Sequence, residues 1–333
     1  MARIDFSKTD IILANMEQID PESRPYRVGI FPVPGFALMS YACTVEPLRA
    51  ANLLSGKQLY EVIHFDQGSA SASSGSASVA GTARVGETPE LDLFLIIAGG
   101  DPSAFADKKV FGWLSRLSRR CRQIGGVSGG PVILARAGLM AGRRMTVHWE
   151  HAPALAEFSP TLLLERRLFV IDRDRVTCGG GTAPLDLMHA LIGGHHGPVF
   201  ARLVSDWFLH TGVRGPADPQ RGGLVERLGS TSAPLLDAVS VMENHISDPL
   251  TLDQLAVLSG VTARQLNRLS RENLGQSTME YYRALRTRAA RRLLENSALS
   301  LTEIALATGF ANSAHFSRCF SKYYGHPPST LRR

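Results

Sequence analysis

Hydrophobic positions in the first two thirds of the chain come in short solid runs. Tyr26–Phe31, Tyr60–Phe65, Leu93–Ala98, Ile124–Ser128, Leu168–Ile171 and Val176–Cys178 are largely apolar or β-branched, and glycine follows or interrupts several of them. Runs with little polar alternation fit strands buried on both faces. Between them, Thr44–Leu54, Pro102–Cys121, Pro131–Leu139 and Ala183–Ile192 read as helices. Strand, glycine-containing turn, helix, strand predicts an α/β domain built on a parallel sheet, with ligands at the carboxyl ends of its strands.

The pattern breaks at Gly212–Ser230, where GVRGPADPQRGG interrupts the periodicity with Gly and Pro. The reading is therefore a tail at 1–24, an α/β domain at 25–211, a linker at 212–231 and a helical domain at 232–333. Candidate helices of the last part are Ala233–Ile246, Leu252–Leu258, Ala263–Leu274, Met279–Glu295, Leu301–Thr308 and Ser313–Tyr323, with Thr251, Thr262 and Ser300 in capping positions. The low-complexity stretch GSASASSGSAS at 68–78 reads as a flexible loop or an edge hairpin.

The helical part nearly repeats itself. Leu252, Leu255, Ala256 and Gly260 recur 49 residues later as Leu301, Ile304, Ala305 and Gly309; Leu266, Arg268 and Gly275 recur 50 later as Phe316, Arg318 and Gly325. Each copy has a short amphipathic helix, a glycine turn and a second amphipathic helix, which is what a helix-turn-helix needs to lay one helix in a major groove. A single long helix joins the copies, with Met279, Tyr282, Leu285, Ala289 and Leu293 as its apolar stripe.

Composition narrows the class. The 333 residues are 44% hydrophobic and 20% charged, too apolar for disorder, and no apolar run reaches the roughly 18–20 residues of a membrane span. The N-terminus carries charges at Arg3, Asp5, Lys8 and Asp10 and lacks the apolar core of a secretory signal. Cys43, Cys121, Cys178 and Cys319 are far apart and form no C-x-x-C pair, so free thiols in a cytoplasmic protein are expected, with no metal and no cofactor. Of the formal net charge of +6, residues 232–333 contribute 12 − 8 = +4 and residues 1–231 contribute 24 − 22 = +2. Eleven of those twelve basic residues are arginines, suited to phosphate and guanine.

At the second repeat, IALATGFANSAHFSRCFSKYYGHPPSTLRR (Ile304 to Arg333) resembles the signature of the AraC/XylS family of transcription regulators. The resemblance covers about the last hundred residues. It implies double-stranded DNA as partner, at promoter operator sites. The exposed faces of the two recognition helices would offer Arg264, Asn267 and Arg268, then Ser313, His315, Ser317 and Arg318. Arg264 and Asn267 have the chemistry for base edges; Arg268 and Arg318 suit phosphates or internal ion pairs equally. The first repeat departs from the family at Ser270, where an aromatic matching Phe320 is usual, and at Thr278, where a proline matching Pro328 is common.

In the first domain, Gly126-Val127-Ser128-Gly129-Gly130 is a G-x-S-x-G motif between a predicted strand and helix, the context of a nucleophile elbow. With His148 and Asp186 downstream the chain order is wrong for an α/β-hydrolase. VGIFPVPGF, LDLFLIIAGGD, GVSGGP and TVHW instead resemble the PfpI-like, class I glutamine amidotransferase-like superfamily, implying a flavodoxin-like sheet. Its catalytic members carry cysteine at the elbow, supported by a following histidine or a glutamate from the first turn. Here those positions hold Ser128, Gly129 and Ser40, so no catalytic residue is expected; the rival reading is a DNA-tethered amidase or deglycase with Ser128 as nucleophile.

Together, the two resemblances point to the GlxA-like subgroup of AraC-family regulators, which includes regulators of arginine, carnitine and glycine betaine catabolism. They imply an activator that is a homodimer, contacts RNA polymerase, and senses a small effector through the first domain. The elbow suggests an anion site at Ser128 and Gly129, with Gly99 and Gly100 beside it and His148 nearby. Trp149, Phe36 and Tyr41 would wall a quaternary ammonium, or Glu46 would pair with an amine or guanidinium. Trp149 and Phe36 are also ordinary core candidates. Cys178-Gly179-Gly180-Gly181-Thr182 reads as a tight strand-to-helix turn, and His195-His196 as a solvated turn.

Overall fold

The computed structural model describes residues 24–297 and 299–331. All of the expected tail except Arg24 lies outside them, as do Arg332 and Arg333 of the C-terminal motif. The chain divides into two compact units, Met1–Gln220 and Arg221–Arg333.

The first unit runs β1 (Tyr26–Pro32), α1 (Leu38–Ser55), β2 (Tyr60–Asp66), β3 (Ser71–Ala72), β4 (Ser78–Val79), β5 (Ala83–Arg84), β6 (Leu93–Ala98), α2 (Lys108–Leu117), β7 (Gln123–Ser128), α3 (Gly130–Arg136), β8 (Arg144–Met145), α4 (Ala152–Phe158), β9 (Leu163–Leu164), β10 (Phe169–Asp172), β11 (Arg175–Cys178), α5 (Ala183–His196) and α6 (Pro198–Trp207). Seven strands form one sheet in the order β10-β11-β7-β6-β1-β2-β5, parallel throughout except for the β10–β11 hairpin at its edge. β6 shows why the runs are solidly apolar. Leu93, Leu95 and Ile97 face a layer with Leu48 of α1 and Leu187 and Met188 of α5; Phe94, Ile96 and Ala98 face the opposite layer with Trp113 of α2 and Ile133 of α3. A period of two places every residue of this strand in one core or the other.

Local chemistry moved several boundaries. The helix expected over Pro102–Cys121 is broken: Asp101 accepts from Ser103 N at a short 3-10 turn, and Asp107 restarts the chain by accepting from Lys109 N and Val110 N. Residues 68–78 fold in part as a hairpin, β3 pairing with β4. His195 and His196 are the last turn of α5 rather than a turn between elements; His195 is exposed as expected, yet its ring packs on Tyr26 and its Nδ1 lies 3.0 Å from the Tyr60 hydroxyl.

The linker expected at 212–231 is largely absorbed into the two units. Asp186 accepts from Arg214 N, Nε and Nη2 at 2.8, 3.0 and 2.7 Å, and Leu168 N donates to Pro216 O. At the other end, α7 (Leu224–Leu228) packs Leu224 and Leu228 on the second core. A Gly/Pro-rich composition marks turns, and these turns are held by hydrogen bonds rather than left loose.

The second unit continues with α8 (Ala233–Asn244), α9 (Leu252–Leu258), α10 (Ala263–Leu274), α11 (Thr278–Asn296), α12 (Leu301–Ala307) and α13 (Ser313–Tyr324). Thr251, Thr262 and Ser300 close capping boxes with Gln254, Gln265 and Glu303. Leu235, Val239, Leu255, Leu266 and Tyr282 build the core around the first repeat, and Phe310, Phe316 and Phe320 stack edge to face or tilted in the second.

Candidate functional site

The two repeats form two helix-turn-helix units, α9–α10 and α12–α13, with α11 between them. On α11, Tyr282, Leu285, Ala289 and Leu293 are buried as the stripe requires, and Met279 is half-buried. Arg286 of α11 lies over the Phe310 ring at 4.5 Å, and its guanidinium donates to the carbonyls of Thr308 (2.9 Å) and Gly309. The long helix thereby grips the turn of the second unit.

The expected contact residues separate by environment. Arg264 and Arg318 are exposed, and among the described residues neither makes an ion pair. Arg268 is exposed and approaches Glu272 at 3.6 Å, an open surface pair of little strength. Asn267 is engaged within the fold: its Oδ1 accepts from Thr278 N at 3.0 Å. His315 is half-buried with its ring edge against Phe310, its backbone N–H donating to the capping Asn312. Ser313 and Ser317 are half-buried. The repeat register also places exposed Ala314 at the position of Arg264, so an equivalent place on the second helix is exposed but lacks a polar group.

In the first unit, the carboxyl ends of β1, β6 and β7 are neighbours, and β7 ends on the elbow. Ser128 has φ 59°, the left-handed conformation of a strained strand-to-helix turn. Gly130 makes the tight return possible, since a Cβ there would lie 2.0 Å from Ile96 O. Gly180 (φ 84°) closes over the serine, where a Cβ would come within 2.5 Å of Ser128 Cβ. Ser128 is 6% exposed.

Chemically the elbow is unlike that of a hydrolase. Among the described residues the Ser128 hydroxyl has no base: His148 reaches Ser128 only through its backbone N–H, which donates to Ser128 O at 3.3 Å, and its Nδ1 faces Glu150 N. Burial lowers the His148 pKa. Ser40, at the place of the glutamate, is buried and accepts from Gly181 N at 2.8 Å, tying α1 to the turn behind the elbow. The anion site expected at Gly129 is weakened by the sheet itself: Gly129 N donates to Ala98 O at 3.0 Å, and α3 has only 7 residues.

The other effector candidates are scattered. Phe36 is fully buried and packs on Tyr41, whose hydroxyl lies 2.8 Å from His64 Nε2. Glu46 pairs with Arg49 at 2.6 Å. Gly99 and Gly100 sit at the end of β6 with Gly100 exposed, and half-buried Trp149 packs on His148. Sequence reasoning missed Gln220. Its side chain accepts from Trp149 N and donates to Thr146 Oγ1, Val147 O and Arg167 O. Nothing in PADPQRGG signals this, because a single glutamine in a turn-rich run has no periodicity.

Comparison with known proteins agrees with both halves. Residues 27–193 match the DJ-1/PfpI family and residues 255–333 a family described as a helix-turn-helix domain. The HTH-type transcriptional regulator GlxA of Rhizobium meliloti is 47% identical over 309 residues, covering 92% of this chain and 95% of the relative. The HTH-type transcriptional regulator GbdR of Pseudomonas aeruginosa is 37% identical, covering 95% and 86%. Among solved structures, a THiJ/PfpI family protein from Pseudomonas syringae superposes with TM-score 0.53 at 19% identity, over 73% of this chain and 94% of that one, a likeness of fold.

Proposed function

We propose, for a chain that belongs to the DJ-1/PfpI family and to the family of GlxA-like HTH-type transcriptional regulators, a specific division of labour between its units. The chain is a DNA-binding transcriptional regulator. In our reading Arg264 contacts base edges, while Arg268 and Arg318 hold phosphates, because these arginines are exposed on the recognition helices. Asn267 leaves the readout and joins the scaffold. His315, Ser313 and Ser317 contribute through the half-exposed start of α13.

The first unit, in this proposal, senses a small metabolite at the carboxyl ends of β1, β6 and β7, bounded by Ser128, Gly100, His148 and Trp149. An amino acid or quaternary-ammonium carboxylate suits it: Trp149 offers a half-exposed aromatic face for a cation, and its cationic end would not meet Glu46, which is held by Arg49. The observation that carries the sensor reading is an elbow whose strained backbone persists while its hydroxyl meets no base among the described residues. Effector binding favours activation of transcription by a homodimer in contact with RNA polymerase.

A thermal-shift screen of the full chain against glycine betaine, carnitine, choline and arginine tests this. A dose-dependent rise in melting temperature without consumption of the compound supports a sensor; consumption that Ser128→Ala abolishes supports the enzyme instead.

A further inference from the structure

We propose that Thr146–Trp149, Arg167 and Gly179 form a socket selective for a primary carboxamide, that Gln220 is its built-in occupant, and that seating or release of Gln220 sets the length of the tether to the DNA-binding unit. The polarity of the socket is fixed. Trp149 N–H donates to Gln220 Oε1 at 2.8 Å, while Val147 O (2.9 Å), Arg167 O (2.6 Å) and Thr146 Oγ1 (3.1 Å) accept from Nε2. Two carbonyls can only accept, so the amide has one orientation, and a carboxylate in its place would oppose two like partial charges. Gly179 completes the wall: a Cβ there would lie 2.7 Å from Gln220 Cδ.

The socket shares its backbone with the elbow. His148 donates to Ser128 O, and its neighbours Val147 and Trp149 hold Gln220. Gly180 packs on Ser128 while Gly179 packs on Gln220. Any ligand that displaces residues 147–149 or 179–180 at the elbow therefore displaces donors and acceptors of the socket. Upstream, Arg214 is clamped on buried Asp186, which His210 also meets at 2.8 Å. Between these two pins Pro216, Ala217, Asp218 and Pro219 are exposed, a strap held mainly at its ends.

The consequence is a change of reach. With Gln220 seated, only the three residues 221–223 separate it from α7, a span of about 10 Å at most. With Gln220 released and Arg214 still clamped, residues 215–223 can extend to about 30 Å. This consequence rests on the sensor reading above; the socket itself does not.

Amide exchange in the full chain decides the matter. Gln220→Ala should speed exchange at Trp149 N–H, bonded to Oε1, and at Leu168 N–H, bonded to Pro216 O, by tenfold or more. Propionamide at tens of millimolar should restore protection of Trp149, and propionate should not. Affinity for a duplex selected on the wild-type chain from a randomised library should change several-fold. Gln220→Met, which keeps the length but loses all four hydrogen bonds, serves if the alanine variant does not fold. Unchanged exchange, or equal rescue by propionate, overturns the socket. Altered exchange with unchanged DNA affinity overturns the tether. If the wild-type chain selects no duplex, the regulator reading fails, and the exchange experiment still decides the socket.

Discussion

Asn267 and Thr278 show how one exchange in a repeated unit is answered by another. Thr278 N donates to Asn267 Oδ1; fifty residues on, the pair is Ser317 and Pro328, and proline has no N–H to give. Ser270 likewise replaces the aromatic of Phe320 but stays buried, donating to Gln276 O at 2.9 Å. Asn267→Ala should therefore cost about 1 kcal/mol in denaturant unfolding and leave base preference unchanged. Arg264→Ala should relax preference at one base position, by about 1–3 kcal/mol in binding to altered duplexes. Arg318→Ala should weaken all duplexes alike and lower the salt slope by about one. The arginines were legible in the sequence because exposure on an amphipathic helix follows from spacing. The role of Asn267 was not, since it depends on where the next helix begins. Gly180 was read correctly as part of a turn, but its contact with Ser128 joins strands that are far apart in sequence. Gly180→Ala combines a clash at that contact with φ 84°, and unfolding should show a loss of about 2 kcal/mol or more.

Elements built on periodicity alone were readable: α10 begins and ends where its spacing predicts, and β6 does too. The broken helix after Asp101 and the absorbed linker were not, because side-chain caps and the Arg214–Asp186 clamp override composition. The short helix α4 follows His151, which is 5% exposed and whose Nδ1 has no hydrogen-bond partner among the described residues. Burial, aided by neighbouring His148, lowers its pKa to about 4. The unfolded chain protonates this imidazole near 6.5 while the native chain does not, so the stabilising contribution is complete above pH 6.5 and is lost as pH falls toward 4. Its share of the slope in chemical denaturation should approach about 1.4 kcal/mol per pH unit between those limits, read as the difference between the wild-type chain and His151→Phe, because other buried histidines such as His196 titrate in the same range. The turn before α13 offers a second test. Arg286→Met removes the donor to Thr308 O and Gly309 O, so about 2 kcal/mol of stability should go.

At the scale of the molecule, a long helix joins the two helix-turn-helix units, and our proposal makes it a ruler. The 19 residues of α11 span about 28 Å, and Arg286 ties the turn of the second unit to that helix; two readers held on such a strut would meet major grooves on one face of the duplex, roughly 34 Å apart. A rigid ruler tolerates no change of phase. Inserting five base pairs between the two halves of a selected site turns the second half to the opposite face, and affinity should fall to that of a site with one half deleted. A smaller loss would mean that the readers move independently and that Arg286 does not hold them. The electrostatic part of binding has its own signature. If six or more phosphates are met by the arginine-rich unit, affinity should drop on the order of a thousandfold or more between 50 and 200 mM salt. Comparing salt slopes for intact and phase-shifted sites then separates the two contributions. Loss of one reader should flatten the slope as phosphate contacts disappear, whereas loss of base contacts alone should lower affinity at an unchanged slope.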